Sequence, residues 1–203
     1  MKKTFYLLLI ILAVLQNKDA FSRSFAISPQ VGYFFKESFP IVNGNVHINE
    51  GFYYGGVLSY GATDAIDVEL QYSHRTSILT IDASTTTPTL NLNTNWFLLN
   101  GCYNFDNGAP AIPFLAVGMG WVNFNPEEDG RATENRFAMD VGLGMKVAFS
   151  DRVGLRLSTN FLATMNSSSS FENEYGDDAY LMNKMAYVTQ FGFRAGVYVK
   201  LVE

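Results

Sequence analysis

Two histidines, His47 and His74, are the obvious proton acceptors in this chain of 203 residues. His74 lies in "YSHRTS", next to the hydroxyls of Ser73, Thr76 and Ser77. A serine with a histidine base is the minimum for acyl transfer, and a third group must orient that base. No recognisable third partner follows, so the spacing predicts no catalytic residue. Carboxylates gather at Glu127, Glu128 and Asp129 and again at Glu172, Glu174, Asp177 and Asp178. They would attract Ca²⁺ but lack the regular ligand spacing of a calcium loop, so they read as a charged exterior. Neither a metal site nor a cofactor is expected. Cys102 is the single cysteine, which excludes an internal disulfide. The remaining charges stand apart between apolar residues: Asp67 and Glu69, Asp140 and Lys146, Arg156, Arg194 and Lys200. Isolated charges of both signs make ion pairs once the chain brings them together.

The elements that carry these charges are strands. In "RFAMDVGLGMKVAFSD" every second residue from Phe137 to Phe149 is apolar, with Asp140, two glycines and Lys146 between. Successive side chains of a strand point to opposite sides, so such a segment has one greasy face. The same alternation marks seven further segments. They begin at Phe25, Phe52, Ile66, Leu90, Ile112, Val153 and Met185. In the fourth, Leu90 and Leu92 share a parity that Phe97, Leu99, Tyr103 and Phe105 do not, which predicts a bulge near Asn95. The connections Ala62–Asp64, Asp106–Ala111 and Asp151–Arg152 are short and rich in turn residues. Those at 36–50, 75–89, 125–135 and 164–183 are long, and all follow odd-numbered strands. The predicted fold is therefore all-β: an eight-stranded antiparallel up-and-down barrel with every long loop at one end.

Two barrels fit that pattern. A secreted soluble barrel of lipocalin type would bury the apolar face around a hydrophobic ligand, whereas a membrane barrel turns it outward to lipid. The polar face here is made of Gly, Ala, Ser and a few charges, which suits the cramped interior of a narrow barrel. Strands near the roughly 9–11 residues that cross a bilayer, with aromatics on the apolar face, point the same way. The lipocalin Gly-x-Trp motif is missing. The N-terminus "MKKTFYLLLIILAVLQNKDA" has two lysines, an apolar run too short to span, and then polar residues, the plan of a secretory signal peptide over residues 1–20. Residues 21–203 form the barrel domain. The net charge is −5, which makes nucleic acid an unlikely partner.

On "PFLAVGMGW", "DVGLGMKVAF", "DRVGLRL" and "QFGFRAGVYVKL" the exported chain resembles the small outer-membrane β-barrel family of OmpA-domain and OmpX type. The resemblance implies residence in the bacterial outer membrane, contact with its lipids and passage through its insertion machinery. The chain departs from the family's C-terminal aromatic, ending Leu201, Val202, Glu203.

Eight strands enclose a space that side chains fill, so no open pore is expected. The third strand faces the seventh across the ring, setting Asp67 and Glu69 against Arg156, with Lys146 and Lys200 on the flanking sixth and eighth strands. With Asp140 and Arg194 these form an expected lumen charge network. The function expected is a monomeric integral outer-membrane protein whose long loops contact an extracellular ligand or surface. A narrow channel for small solutes is the alternative.

Overall fold

The computed structural model describes residues 24–41, 44–83, 89–106, 108–127, 133–165 and 187–202. The expected signal peptide and the acidic residues Glu128, Asp129, Glu172, Glu174, Asp177 and Asp178 lie outside them. Ten strands follow one another: β1 (Phe25–Phe34), β2 (Glu37–Ile41), β3 (Gly44–Ile48), β4 (Gly51–Gly61), β5 (Ile66–Ala83), β6 (Thr89–Asn104), β7 (Ala111–Pro126), β8 (Glu134–Ala148), β9 (Val153–Met165) and β10 (Tyr187–Val202). Eight of them, β1 and β4 to β10, pair antiparallel with their neighbours, and the β5–β6 pairing closes the ring. Closure leaves no open sheet edge in the wall, which is what hydrocarbon demands of a spanning sheet.

The strands run obliquely. The partner line Ile66↔Tyr103↔Leu115↔Leu143↔Thr159↔Phe193↔Tyr33↔Phe52 starts at the short-turn end of β5 and arrives at the loop end of β4. Such a climb is the stagger that lets a twisted sheet close on itself. The outer face carries the apolar parity: Leu70, Leu99, Met119, Val141, Phe161 and Val197 are all exposed. This is opposite to a soluble ligand carrier, which would turn those residues inward.

The connections differ from expectation at two places. The first long connection holds the hairpin β2–β3, whose second strand extends the sheet by pairing with the far end of β5, Gly44↔Ala83 to Ile48↔Leu79. The second is mostly strand, since β5 and β6 stay paired out to Thr80↔Thr89. At the other end Gly108 adopts a positive φ of 74° and its N–H donates to Asp106 Oδ1 at 2.8 Å. That left-handed conformation suits glycine at the tip of "DNGAPA".

The bulge expected near Asn95 does not exist. β6 keeps one unbroken register with β5 from Tyr103 to Thr89 and with β7 from Asn104 to Leu92. Leu92 faces inward with Trp96 and Leu98, all three buried. The apolar parity changes along β6 because the interior itself becomes apolar toward the loops.

Candidate functional site

The lumen is the best-defined site, and it has two halves. The short-turn half is ionic. β5 alternates outward apolar residues with inward Asp67 and Glu69, and β9 presents Arg156 from across the ring. Arg156 Nη1 and Nη2 donate to Glu69 Oε1 and Oε2 at 2.6 and 2.8 Å, a bidentate fork between two buried groups. Ser59 also donates to Glu69 Oε1, at 3.3 Å. Lys146 from β8 donates to Asp67 Oδ2 at 2.7 Å and to Asn104 Oδ1 at 2.8 Å, and its ammonium lies 3.9 Å from Glu69. The Arg156 guanidinium lies 4.4 Å from the centre of the Phe114 ring, which covers it.

Asp67, Glu69 and Cys102 hold their donor atoms within 4.8 Å of one another, a grouping able in principle to bind a metal ion. Lys146 Nζ sits among them, 3.8 Å from Cys102 Sγ, and supplies the cation that the carboxylates call for. A second ionic layer lies further in. Arg194 donates from Nη2 to Asp140 Oδ2 at 3.3 Å and from Nη1 to Gln71 Oε1, which also accepts from Asn100 Nδ2 at 3.0 Å.

The loop half is aromatic. Phe34 stacks on Tyr53 with ring centres 4.4 Å apart and tilts against Trp96 at 5.4 Å. Leu92, Leu98, Val122, Phe124, Ala138 and Leu162 complete the cluster, all buried. The Tyr53 hydroxyl donates to Asn160 Oδ1 at 3.2 Å and so joins the plug to the polar half. Room for the Tyr53 ring comes from Gly32, where a Cβ would stand 2.2 Å from Tyr53 Cζ. Above the plug Arg75 lies over Phe34, 5.6 Å from the ring centre, and donates to the backbone carbonyl of Asn49. Arg136 forks onto Glu134 at 2.8 and 3.0 Å.

The structure thus brings together six of the seven charges expected to face the lumen: Asp67, Glu69, Lys146 and Arg156 in one group, Asp140 and Arg194 in another. Lys200 has the inward parity but ends exposed at the short-turn rim, and it is in none of the ion pairs formed among the described residues. Strand β10 runs past the ionic layer before reaching it. Arg75 and Arg136 escaped the sequence reading. The signal was present for Arg75, since positions 67, 69, 71, 73 and 75 continue one parity, but a strand end placed at His74 concealed it.

The histidines lie apart. His47 is partnered with Thr80 on β5, six residues from His74, about 20 Å at the rise of a strand. His74 faces outward, with Nδ1 2.8 Å from Asn95 Oδ1, whereas Ser73 and Ser77 face inward and are buried. Glu37, which opens the β2–β3 hairpin, is a loop-end group whose protonation is strongly perturbed. Burial pushes its carboxyl up to about 7, against the opposing pull of hydrogen bonds from Thr189 and the Phe191 backbone and of the Arg75 charge.

A closed antiparallel barrel with an apolar exterior and a polar, charge-paired interior is the architecture of a transmembrane β-barrel. The comparisons agree. The family model described as outer membrane protein beta-barrel domain matches residues 5–198, and the chain belongs to that family, which places it in the outer membrane. It is similar to the outer membrane protein PagN of Salmonella typhimurium, with 27% identity over 93 residues, 40% of this chain. That match spans only 39% of the length of PagN. Among solved structures it is similar to Neisserial surface protein A, with a TM-score of 0.61 at 14% identity, covering 87% of this chain and 97% of that one. The outer membrane protein OprG of Pseudomonas aeruginosa gives a TM-score of 0.58 at 12% identity, covering 89% of this chain and 94% of that one. At these identities the likeness to both structures is one of fold.

Proposed function

We propose that the protein is a non-conducting, non-enzymatic outer-membrane anchor that displays its loop end to an extracellular ligand or surface. The observation that carries this reading is a lumen filled at two heights by unlike means. The Arg156–Glu69 fork and its neighbours fill the short-turn half, and the Phe34–Tyr53–Trp96 cluster fills the loop half. A conducting path would have to pass both. All four long connections leave at the loop end, so a rigid barrel would hold whatever they bind at a fixed height above the membrane. The opposed faces of His74 and Ser73 support the non-enzymatic part. The charge network is read as a structural plug, the chain as a monomer, and its entry into the membrane as the work of the outer-membrane insertion machinery.

Planar bilayers test the central claim. The wild type is expected to show no unitary steps, and the double variant Phe34→Ala/Trp96→Ala is expected still to be blocked by the ionic layer. Steady wild-type conductance would replace this reading with a narrow solute channel.

A further inference from the structure

The outer wall does not end the same way all round. On β9, β10, β1 and β4 the outward residues stay apolar toward the loops, through Met165, Phe191 and Phe52 and on to Phe35 just past β1. On β5 to β8 the continuous apolar band stops at an aromatic edge, marked by Tyr72, Phe97, Trp121 and Phe137, with Ile78 of β5 standing exposed by itself beyond it. The four edge residues are partners in one line across the strands. Immediately above that edge, on the same outward parity, stand Asn95 and Asn93 of β6, Asn123 and Asn125 of β7, and Asn135 of β8. Among the described residues of this patch Glu127 is the one charged side chain. A wall that merely met water would more often carry Lys and Glu.

These amides are held in place across the strands. Asn95 Oδ1 accepts from the Tyr72 hydroxyl at 3.0 Å and lies 2.8 Å from His74 Nδ1. Asn93 accepts from Thr76 at 2.7 Å and donates to Glu127 at 2.9 Å. Asn123 Nδ2 donates to Asn135 Oδ1 at 3.0 Å, and Asn125 accepts from Thr133 at 3.0 Å. A carboxamide has two N–H donors and a carbonyl with two lone pairs, so one cross-strand bond leaves capacity for more.

We propose that this amide face of β5–β8 binds the uncharged saccharide headgroup of a glycolipid anchored in the surrounding leaflet. The row of amide N–H donors and carbonyl acceptors matches neighbouring hydroxyls of a sugar, with Asn95 contributing its Nδ2, since its Oδ1 already meets Tyr72 and His74. The exposed rings of Tyr72 and Trp121 at the lower edge, and of Tyr54 on neighbouring β4 at the level of His74, offer apolar faces for its C–H side. A phosphate headgroup would call for arginine or lysine, and the described residues of the patch supply neither. The patch continues directly from the lipid-facing band, so an occupant rooted in the bilayer meets it without leaving the membrane. The proposal rests on membrane residence and is independent of whether the lumen conducts.

The test uses the full barrel in phosphatidylcholine nanodiscs, reading side-chain amide resonances by NMR while a neutral diglycosyl diacylglycerol is added. Asn95, Asn123 and Asn135 are expected to shift saturably. The variant Asn95→Ala/Asn123→Ala, with backbone spectra showing the barrel intact, is expected to raise half-saturation by about tenfold, the loss of one or two net hydrogen bonds. Equal shifts with sugar-free diacylglycerol or phosphatidylglycerol would overturn the proposal. So would equal shifts with free maltose, which would make the patch a site for soluble sugar, and so would an unchanged half-saturation in the variant.

Discussion

The two halves of the lumen share strands, parity and closure, yet they are filled by opposite chemistry. In the short-turn half Glu69 is wholly buried and its charge is balanced by a guanidinium fork and a nearby ammonium. In the loop half Phe34, Tyr53 and Trp96 fill the bore with rings. Buried ion pairs contribute little net stability, because desolvation offsets their attraction, but breaking one is expensive. A packed ring contributes in proportion to the area it buries and tolerates loss more gradually. The ionic half is therefore the brittle one and the aromatic half the compliant one.

The contrast can be broken at Glu69. Glu69→Ala strands Arg156, whereas Lys146 keeps Asp67, and urea unfolding from lipid vesicles is expected to show a loss of about 3–5 kcal/mol. Adding Arg156→Met should recover much of it, since the orphaned charge is then gone. An unchanged midpoint for Glu69→Ala would put both halves in the same class.

Trp96→Ala probes the other side and is expected to cost about 3 kcal/mol in the same assay, near the lower end for a buried aromatic. Adding Phe34→Ala should not rescue it, because no charge is left behind. A loss larger than that of Glu69→Ala would reverse the ranking. Gly32→Val asks how tightly the plug is fitted: the new side chain collides with the Tyr53 ring, and overpacking of this kind costs about 2 kcal/mol. Loss of the near-ultraviolet circular dichroism of the aromatic cluster would accompany it.

The smallest effect is expected where the loop half meets solvent. Folding raises the Glu37 carboxyl from 4.5 to about 7, so the docked hairpin holds that proton more tightly than the undocked chain does. The contribution is full below pH 4.5 and is lost as pH rises through about 7. Hydrogen exchange at the β2 and β3 amides, corrected for intrinsic rates, should quicken from pH 5 to 8, and Glu37→Gln should flatten that rise. A flat wild-type profile would detach Glu37 from hairpin docking.

The same contrast explains how much could be read in advance. Where the interior is polar, as in Ile66–Tyr72 or Phe137–Val147, apolar and polar residues alternate and the strand, its faces and its inward charges are all legible. Where the interior is aromatic, both parities are apolar. Leu92, Trp96 and Leu98 then interrupt the apparent pattern of β6, and a continuous strand reads as a bulge. The far end of β5 was obscured for a related reason, since Ile78 is exposed and the adjacent Leu79 is buried, so both faces carry apolar residues there.

The sequence by itself determined the strand count of the barrel, the outward face and the end from which the long connections leave. Each follows from local alternation and turn composition, which need no knowledge of distant neighbours. Only the tertiary structure decided that Arg156 takes Glu69 and Lys146 takes Asp67, that Lys200 stops at the rim, and that Arg75 lies above an aromatic plug. Those outcomes depend on the height of each side chain along the bore. Height is set by the stagger with which the strands close, a property of the whole ring that no single strand encodes.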